Sequence, residues 1–175
     1  MSERLFFALW PDPSARAHLI RLVRSRVPVA ARPTHPADLH LTLAFIGPLA
    51  GTARVCALEV AGAVRMAPFG FELDRIGHWP GPRVLWCGPA GVPDALELLA
   101  TRLITGLIHC GVAADRRPFQ PHVTLGRRIG ALGHPESPSA LARPIHWRAT
   151  DFVLAASGGG GPPRYRWLRR WPLQP

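Results

Sequence analysis

The chain has 175 residues and a formal net charge of +10, and every one of its 21 Lys/Arg positions is Arg. The absence of Lys excludes a P-loop NTPase with the usual Walker lysine, a pyridoxal enzyme with its Schiff-base lysine and a ligase that carries nucleotide on lysine. With 20 Pro and 17 Gly the composition stiffens loops without a collagen-like period, and the length suits a single domain, residues 1–175, with a substantial core.

In chain order, Arg4 to Trp10 reads as a first strand. A helix follows, capped by Asp12 with Pro13 at its first position; its apolar stripe is Ala15, Leu19, Leu22 and Val23, and Pro28 ends it. A Pro-rich loop leads into a strand over Leu39 to Ile46, stopped by Gly47 and Pro48. Thr52 caps a second helix to about Met66, with Val55, Leu58 and Val64 inward. Phe69 to Ile76 and Arg83 to Cys87 read as strands around the turn His78-Trp79-Pro80-Gly81-Pro82. The third helix, Pro93 to His109, has Leu96, Leu99, Leu103 and Leu107 on one face and Gly111 as its stop. His122 to Arg127 is a strand, residues 130–142 a loop, and Ile145 to Ala156 and Tyr165 to Leu173 are the last strands. Between those two, Gly158 to Pro163 reads as a mobile surface loop. The pattern predicts an α+β architecture built on antiparallel sheets.

The cysteines, Cys56, Cys87 and Cys110, are odd in number and lack a CxxC spacing, which argues against a disulfide scaffold or a zinc knuckle and fits a reducing compartment. No apolar run is long enough for a membrane span, and the apolar start is too short for a signal peptide. These features predict a cytoplasmic protein. Charge is spread along the chain: residues 1–88 hold 10 Arg and 6 acids, residues 89–175 hold 11 Arg and 5 acids. A polyanionic partner fits this charge, and no detachable basic tail is present.

One pattern stands above this background. His40-Leu41-Thr42-Leu43 and His122-Val123-Thr124-Leu125 are the same H-x-T-L sequence, 82 residues apart, each on a predicted strand behind a helix and a loop. Strand alternation puts His40 and Thr42 on one face and Leu39, Leu41, Leu43 and Phe45 on the other; His122 and Thr124 repeat the arrangement. If the halves pack about a pseudo-twofold axis, the two polar faces meet across a cleft. One neutral imidazole can then take a proton from water while the other, protonated, donates to a leaving oxygen on the same phosphorus. The threonine hydroxyls suit nonbridging oxygens, and Arg127 or Arg128 suits the added negative charge. Strict parity favours Arg128; a bend at Gly126 brings in Arg127. A metal site is the rival reading, but neither motif brings an H-E-x-x-H pattern or a suitable carboxylate partner.

Along essentially its whole length the chain resembles the 2H phosphoesterase family, in its branch of RNA 2',3'-cyclic phosphodiesterases, historically called 2'-5' RNA ligases. The resemblance rests on Arg4 to Leu9, Asp38 to Gly47, Arg83 to Trp86, Phe119 to Arg127 and Tyr165 to Leu173. It implies a two-lobed, pseudo-symmetric fold with antiparallel sheets lining a central groove, each of two intertwined lobes contributing one motif. It implies opening of a 2',3'-cyclic phosphate at an RNA end to a 2'-phosphate and a free 3'-hydroxyl, with no metal and no cofactor. His40 matches the proton donor and His122 the acceptor, Thr42 and Thr124 the phosphate-binding threonines, and Arg127 the basic residue closing the second motif. The implied partners are RNA ends, including tRNA fragments, or small cyclic nucleotides, handled by a monomer away from membranes. Ligation through a 2'-5' linkage is the implied reverse reaction. The rival activities are hydrolysis of small cyclic phosphates or of 2'-5' linked oligonucleotides, and RNA binding without turnover. His78 and Trp79 are candidate base or groove contacts, while Trp10, Trp86 and Trp147 read as core. Arg116, Arg117, Arg164, Arg166, Arg169 and Arg170 are candidates for a surface that tracks RNA backbone.

Overall fold

A computed structural model describes residues 3–113, 118–130, 138–158 and 160–175. Among these residues nine strands form one antiparallel sheet: β1 Arg4–Leu9, β2 Arg32–Pro33, β3 Leu41–Gly47, β4 Phe69–Trp79, β5 Val84–Gly88, β6 Val123–Arg127, β7 Ser139–Ala149, β8 Asp151–Ser157 and β9 Tyr165–Pro172. Their order is β7-β4-β5-β6-β3-β1-β8-β9, with β2 on the free part of β6. The middle of that order is the junction of two four-strand halves, and β3 meets β6 through the single pair Leu41↔Val123. The two motif strands thus touch at their starts and run apart in opposite directions. Only Thr150 separates β7 from β8, which lie in different halves, so the sheet curves back on itself.

Among the described residues three α-helices accompany the sheet: α1 Pro13–Arg26, α2 Gly51–Ala63 and α3 Asp94–His109. Asp12 caps α1 through Ala15 N at 2.9 Å, and its other carboxylate oxygen takes Arg148 N of β7 at 2.9 Å. One side chain therefore starts the helix and anchors it on the sheet. Helix α1 follows β1 yet packs on β6 and β7, whereas α3 follows β5 yet packs on β3. Each half is covered by the helix that the other half's strand launches. The main core fills the space between helices and sheet, with Leu96, Leu99, Leu103 and Leu107 of α3 all buried against it. A second cluster, Phe6, Ala8, Val153 and Ala155 with Trp10 and Tyr165 against it, is separate from that core.

Several sequence expectations are corrected here. Helix α2 has no side-chain cap and buries Ala57 and Ala61, while Val55 is 56% exposed. Close helix packing selects small residues: a Cβ on Gly106 of α3 would overlap the Val60 side chain. The stretch from Ile145 to Ala156 is two strands, and β7 begins within the expected loop, at Ser139. Strand β4 extends through His78 and Trp79, because its ladder with β5 continues to Trp79↔Val84. Cys56 and Cys110 form a disulfide joining α2 to the end of α3, with Cα atoms 5.7 Å apart. An odd cysteine count forbids only complete pairing, so the inference of a reducing compartment loses its support. Cys87 is the buried free thiol, its pKa pushed up to about 12 by desolvation and by Asp74. Among the described residues no helix is long and apolar enough to cross a membrane.

Candidate active site

Both motif strands carry the same irregularity. In the β1–β3 ladder Ala8 pairs with Thr42 and Phe7 with Ala44, leaving Leu43 as an extra residue. In the β5–β6 ladder Trp86 pairs with Thr124 and Leu85 with Gly126, leaving Leu125 extra. A bulge at the last residue of each H-x-T-L reverses the faces beyond it. Strict alternation therefore fails after the threonine in both copies. Arg127, not Arg128, lines the groove with the motif histidines and threonines. Phe45 is likewise turned to the groove instead of the core face assigned by alternation, and is 51% exposed.

His40, Thr42, His122, Thr124 and Arg127 all border one cavity of about 870 Å³, within the range of small-molecule sites. The histidines are held alike. Nδ1–H of His40 donates to the Asp38 carbonyl at 2.6 Å, and that of His122 to the Gln120 carbonyl at 2.8 Å. In each neutral ring this leaves Nε2 as the atom that can accept a proton.

Their surroundings differ. The His40 ring lies stacked on Trp10 at 5.0 Å, tilted on Phe6 at 5.1 Å and against the edge of Tyr165 at 4.8 Å. Trp10 is fixed by its indole N–H on the Ala37 carbonyl at 2.9 Å. The ladder position equivalent to Trp10 in the other half is Gly88, where a Cβ would fall 2.6 Å from the Pro121 carbonyl oxygen. His122 has instead an edge contact with Trp79 at 4.6 Å. Desolvation pushes His40 down to about 4, aided by His122 and Arg127 and opposed by its Asp38 hydrogen bond and that residue's charge. Desolvation also lowers His122, with Arg127 adding to it and the Gln120 bond opposing. Without a ligand both rings are neutral at neutral pH.

Five arginines line the cavity, Arg4, Arg24, Arg32, Arg127 and Arg164, and none has an ion-pair partner among the described residues. Among the described residues Asp38 is the acid in the lining, and it is already engaged. Its oxygens accept Arg164 N at 2.9 and 3.0 Å and Tyr165 N at 3.3 Å. The site is thus strongly electropositive and suited to a phosphate. No group of three potential metal ligands occurs among the described residues.

The remaining candidates fare differently. His78 is buried in β4, and Trp79 packs on Trp86 at 5.1 Å; neither lines the cavity. Trp86 and Trp147 are core, but Trp10 is half-buried and lies stacked on His40 behind the cavity lining. Arg166 pairs with Glu3, Arg170 with Asp151 at 2.6 Å, and Arg169 lies over Trp171 at 5.4 Å. Of that arginine series Arg164 lines the groove, while Arg116 and Arg117 lie outside the described residues. Gly158 and Pro162, from the Gly/Pro stretch, border the cavity. Sequence reasoning missed Phe45, Trp10, Tyr165, Arg4, Arg24 and Arg32. The signal for Phe45 was available: it follows His40 by the same five residues that separate Arg127 from His122.

Two H-x-T strands joined at their starts, with an arginine beside the histidine pair, define a two-histidine phosphoesterase. Residues 10–161 match the 2'-5' RNA ligase superfamily, and the chain belongs to it. It is 34% identical to the RNA 2',3'-cyclic phosphodiesterase of Escherichia coli, over 98% of this chain and 97% of the relative. A Thermus thermophilus protein of the same name is 33% identical over 88% of this chain and 81% of its own. The crystal structure of E. coli LigT complexed with 3'-AMP aligns with a TM-score of 0.87 at 33% identity, covering 99% of both chains.

Proposed function

We propose that this chain hydrolyses RNA 2',3'-cyclic phosphodiester ends to a 2'-phosphomonoester and a free 3'-hydroxyl. The observation that carries the reading is the pair of imidazoles brought to one electropositive cavity with a threonine beside each. Relatives similar over nearly the whole chain bear the name of that activity.

In the proposed reaction water attacks phosphorus opposite the 3'-oxygen, and Nε2 of His122 takes its proton. The P–O3' bond breaks, its electron pair remains on the oxygen, and protonated His40 supplies the proton that makes the 3'-hydroxyl. Thr42 and Thr124 donate to nonbridging oxygens, and Arg127 offsets the charge gathered on pentacoordinate phosphorus. Because the free site disfavours imidazolium, the acid's proton is stabilised only when the anionic phosphate arrives between the rings. The chemistry needs no cofactor. A 5'-hydroxyl in place of water turns the same steps into 2'-5' joining, and microscopic reversibility makes that the side reaction. All the groups come from one chain, so a monomer acting as one domain of two intertwined lobes suffices. RNA ends, tRNA fragments among them, place this work in the cytoplasm. The unpaired arginines around the histidine pair favour nucleic acid ends over a small cyclic phosphate.

The test is a short RNA ending in 2',3'-cyclic phosphate, incubated with the protein in EDTA, with the products resolved as 2'- or 3'-monophosphate. The 2'-monophosphate is expected. A 3'-monophosphate, or activity lost in EDTA and restored by a divalent ion, would overturn the proposal.

A further inference from the structure

Residues directly opposite one another in a ladder share a face of the sheet. Across β8 and β9, Ser157 pairs with Tyr165, Ala155 with Trp167 and Val153 with Arg170, with Leu168 as an extra residue. Ala155 and Val153 belong to the small cluster that also holds Phe6 and Tyr165, two residues of the cavity lining. The side of β9 that continues the groove is therefore Tyr165, Trp167 and Arg170 in order. Tyr165 touches His40, and Trp10 bridges His40 to Trp167 through ring-centroid distances of 5.0 and 5.5 Å.

Trp167 keeps 49% of its surface open and lies outside both buried clusters, whereas Trp171, on the other face of the same strand, is 8% exposed within the main core. Burial therefore does not account for an indole at this position. The ring is nevertheless firmly seated. Trp10 behind it is fixed by the Ala37 carbonyl, and the start of β9 is tied to the Asp38 carboxylate through the N–H groups of Arg164 and Tyr165. The neighbourhood is basic: Arg164 borders the cavity, Arg166 and Arg169 flank the ring along the strand, and Asp151 holds Arg170 on its face at 2.6 Å. β9 ends the strand order, which leaves this face at the rim of the described sheet. A fixed, open indole on a strand among guanidiniums is the combination that holds single-stranded RNA, the base by stacking and the backbone by charge.

Building on the phosphodiesterase reading, we propose that Trp167 forms a second RNA site, outside the cavity, that stacks the base of the nucleotide preceding the terminal one. Only one ring, that of Trp10, is interposed between this indole and His40, so a nucleotide adjoining the one at the histidines reaches it. The site makes an RNA of two or more nucleotides the favoured ligand over a mononucleotide. Stacking asks only for a π-face, so any base serves there.

The test measures binding of three ligands to wild type, Trp167→Ala and Trp167→Phe: a ribodinucleotide ending in a 2'-phosphate, the same compound lacking its first base, and a nucleoside 2'-monophosphate. Alongside, it measures turnover of adenosine 2',3'-cyclic phosphate. Wild type should bind the intact dinucleotide about 5- to 150-fold more tightly than the compound lacking that base, the worth of one stacked base. Trp167→Ala should lose this margin while holding the monophosphate, and Trp167→Phe should keep most of it. The site is overturned if wild type shows no margin or if Trp167→Ala retains it. It is also overturned if Trp167→Ala weakens the monophosphate as much as the dinucleotide, since the ring would then act only through Trp10 on His40. A Trp167-dependent margin in a wild type that does not open the cyclic phosphate would support the site while overturning the phosphodiesterase reading.

Discussion

Replacing His40 by Gln should remove an acid sensitivity that the site imposes on the fold. In the unfolded chain this imidazole titrates at its ordinary 6.5, whereas desolvation among Phe6, Trp10 and Tyr165 holds it near 4 in the folded protein. The unfolded state therefore binds the proton first, and stability falls as pH drops from above 6.5 toward 4. At about pH 5 the linkage amounts to roughly 2 kcal/mol relative to about pH 8. That figure is an upper value, because the half-buried ring keeps contact with water. Urea unfolding of wild type and His40→Gln at both pH values isolates it: wild type should lose about 2 kcal/mol more than the variant on acidification. His122 contributes with the same sign and stays in both proteins, so it largely cancels. Inorganic phosphate should narrow the difference by stabilising the protonated pair. Equal acid sensitivity in the two proteins would refute the desolvation argument, and with it the claim that the empty site holds His40 neutral.

The same field predicts that the kcat/KM profile, which reports the free protein, is a bell lying below pH 6.5, since catalysis needs one proton on a pair whose members are both lowered. The kcat profile should sit at higher pH because bound phosphate raises both groups; coincident profiles would contradict this. His40→Ala and His122→Ala should each lose about 10² to 10⁴ in rate on a ribose cyclic phosphate. An activated leaving group should rescue His40→Ala alone, and rescue of His122→Ala alone would exchange the two roles. Reduction of the Cys56–Cys110 bridge, which closes a separation of 54 residues, should lower unfolding free energy by about 4 kcal/mol. An unchanged midpoint in urea after verified reduction would show that the helix contacts alone hold α2 on α3.

The shared cavity of the two histidines was legible in the sequence because H-x-T-L is short, local and repeated, and because a strand fixes side-chain direction over two or three residues without help. Beyond that length, direction depends on the ladder. The extra residues Leu43 and Leu125 are defined by the partners β1 and β5, so parity placed Phe45 in the core and left Arg127 and Arg128 unresolved. Helix α3 was legible since four leucines at helical spacing can face only one way. Helix α2 was not: its buried face is Ala57 and Ala61, chosen for the close approach of Val60 to Gly106, and hydrophobicity alone pointed to Val55. The disulfide escaped for the same reason, since Cys56 and Cys110 meet only once those helices have packed.

A duplicated motif supplies two equivalent histidines, yet hydrolysis of a phosphodiester needs one acid and one base. The backbone cannot make that distinction here, since both rings hang from a carbonyl two residues upstream and both strands bulge at the same leucine. The neighbours make it. Around His40 stand Trp10, Tyr165 and Phe6; on the other side, Gly88 lets the Pro121 carbonyl pass where Trp10 has its counterpart. Aromatic walls expel water and oppose a charge on the free ring, but they also stabilise an imidazolium once a phosphate anion balances it. Under the proposed roles the more enclosed histidine is the acid, so its proton is held only while substrate is present. Exchanging Trp10 for Leu should therefore raise the free His40 pKa by admitting water and weaken its protonation in the phosphate complex. An NMR titration of that imidazole with and without phosphate reads both effects, and a shift in the same direction in the two states would place its control elsewhere.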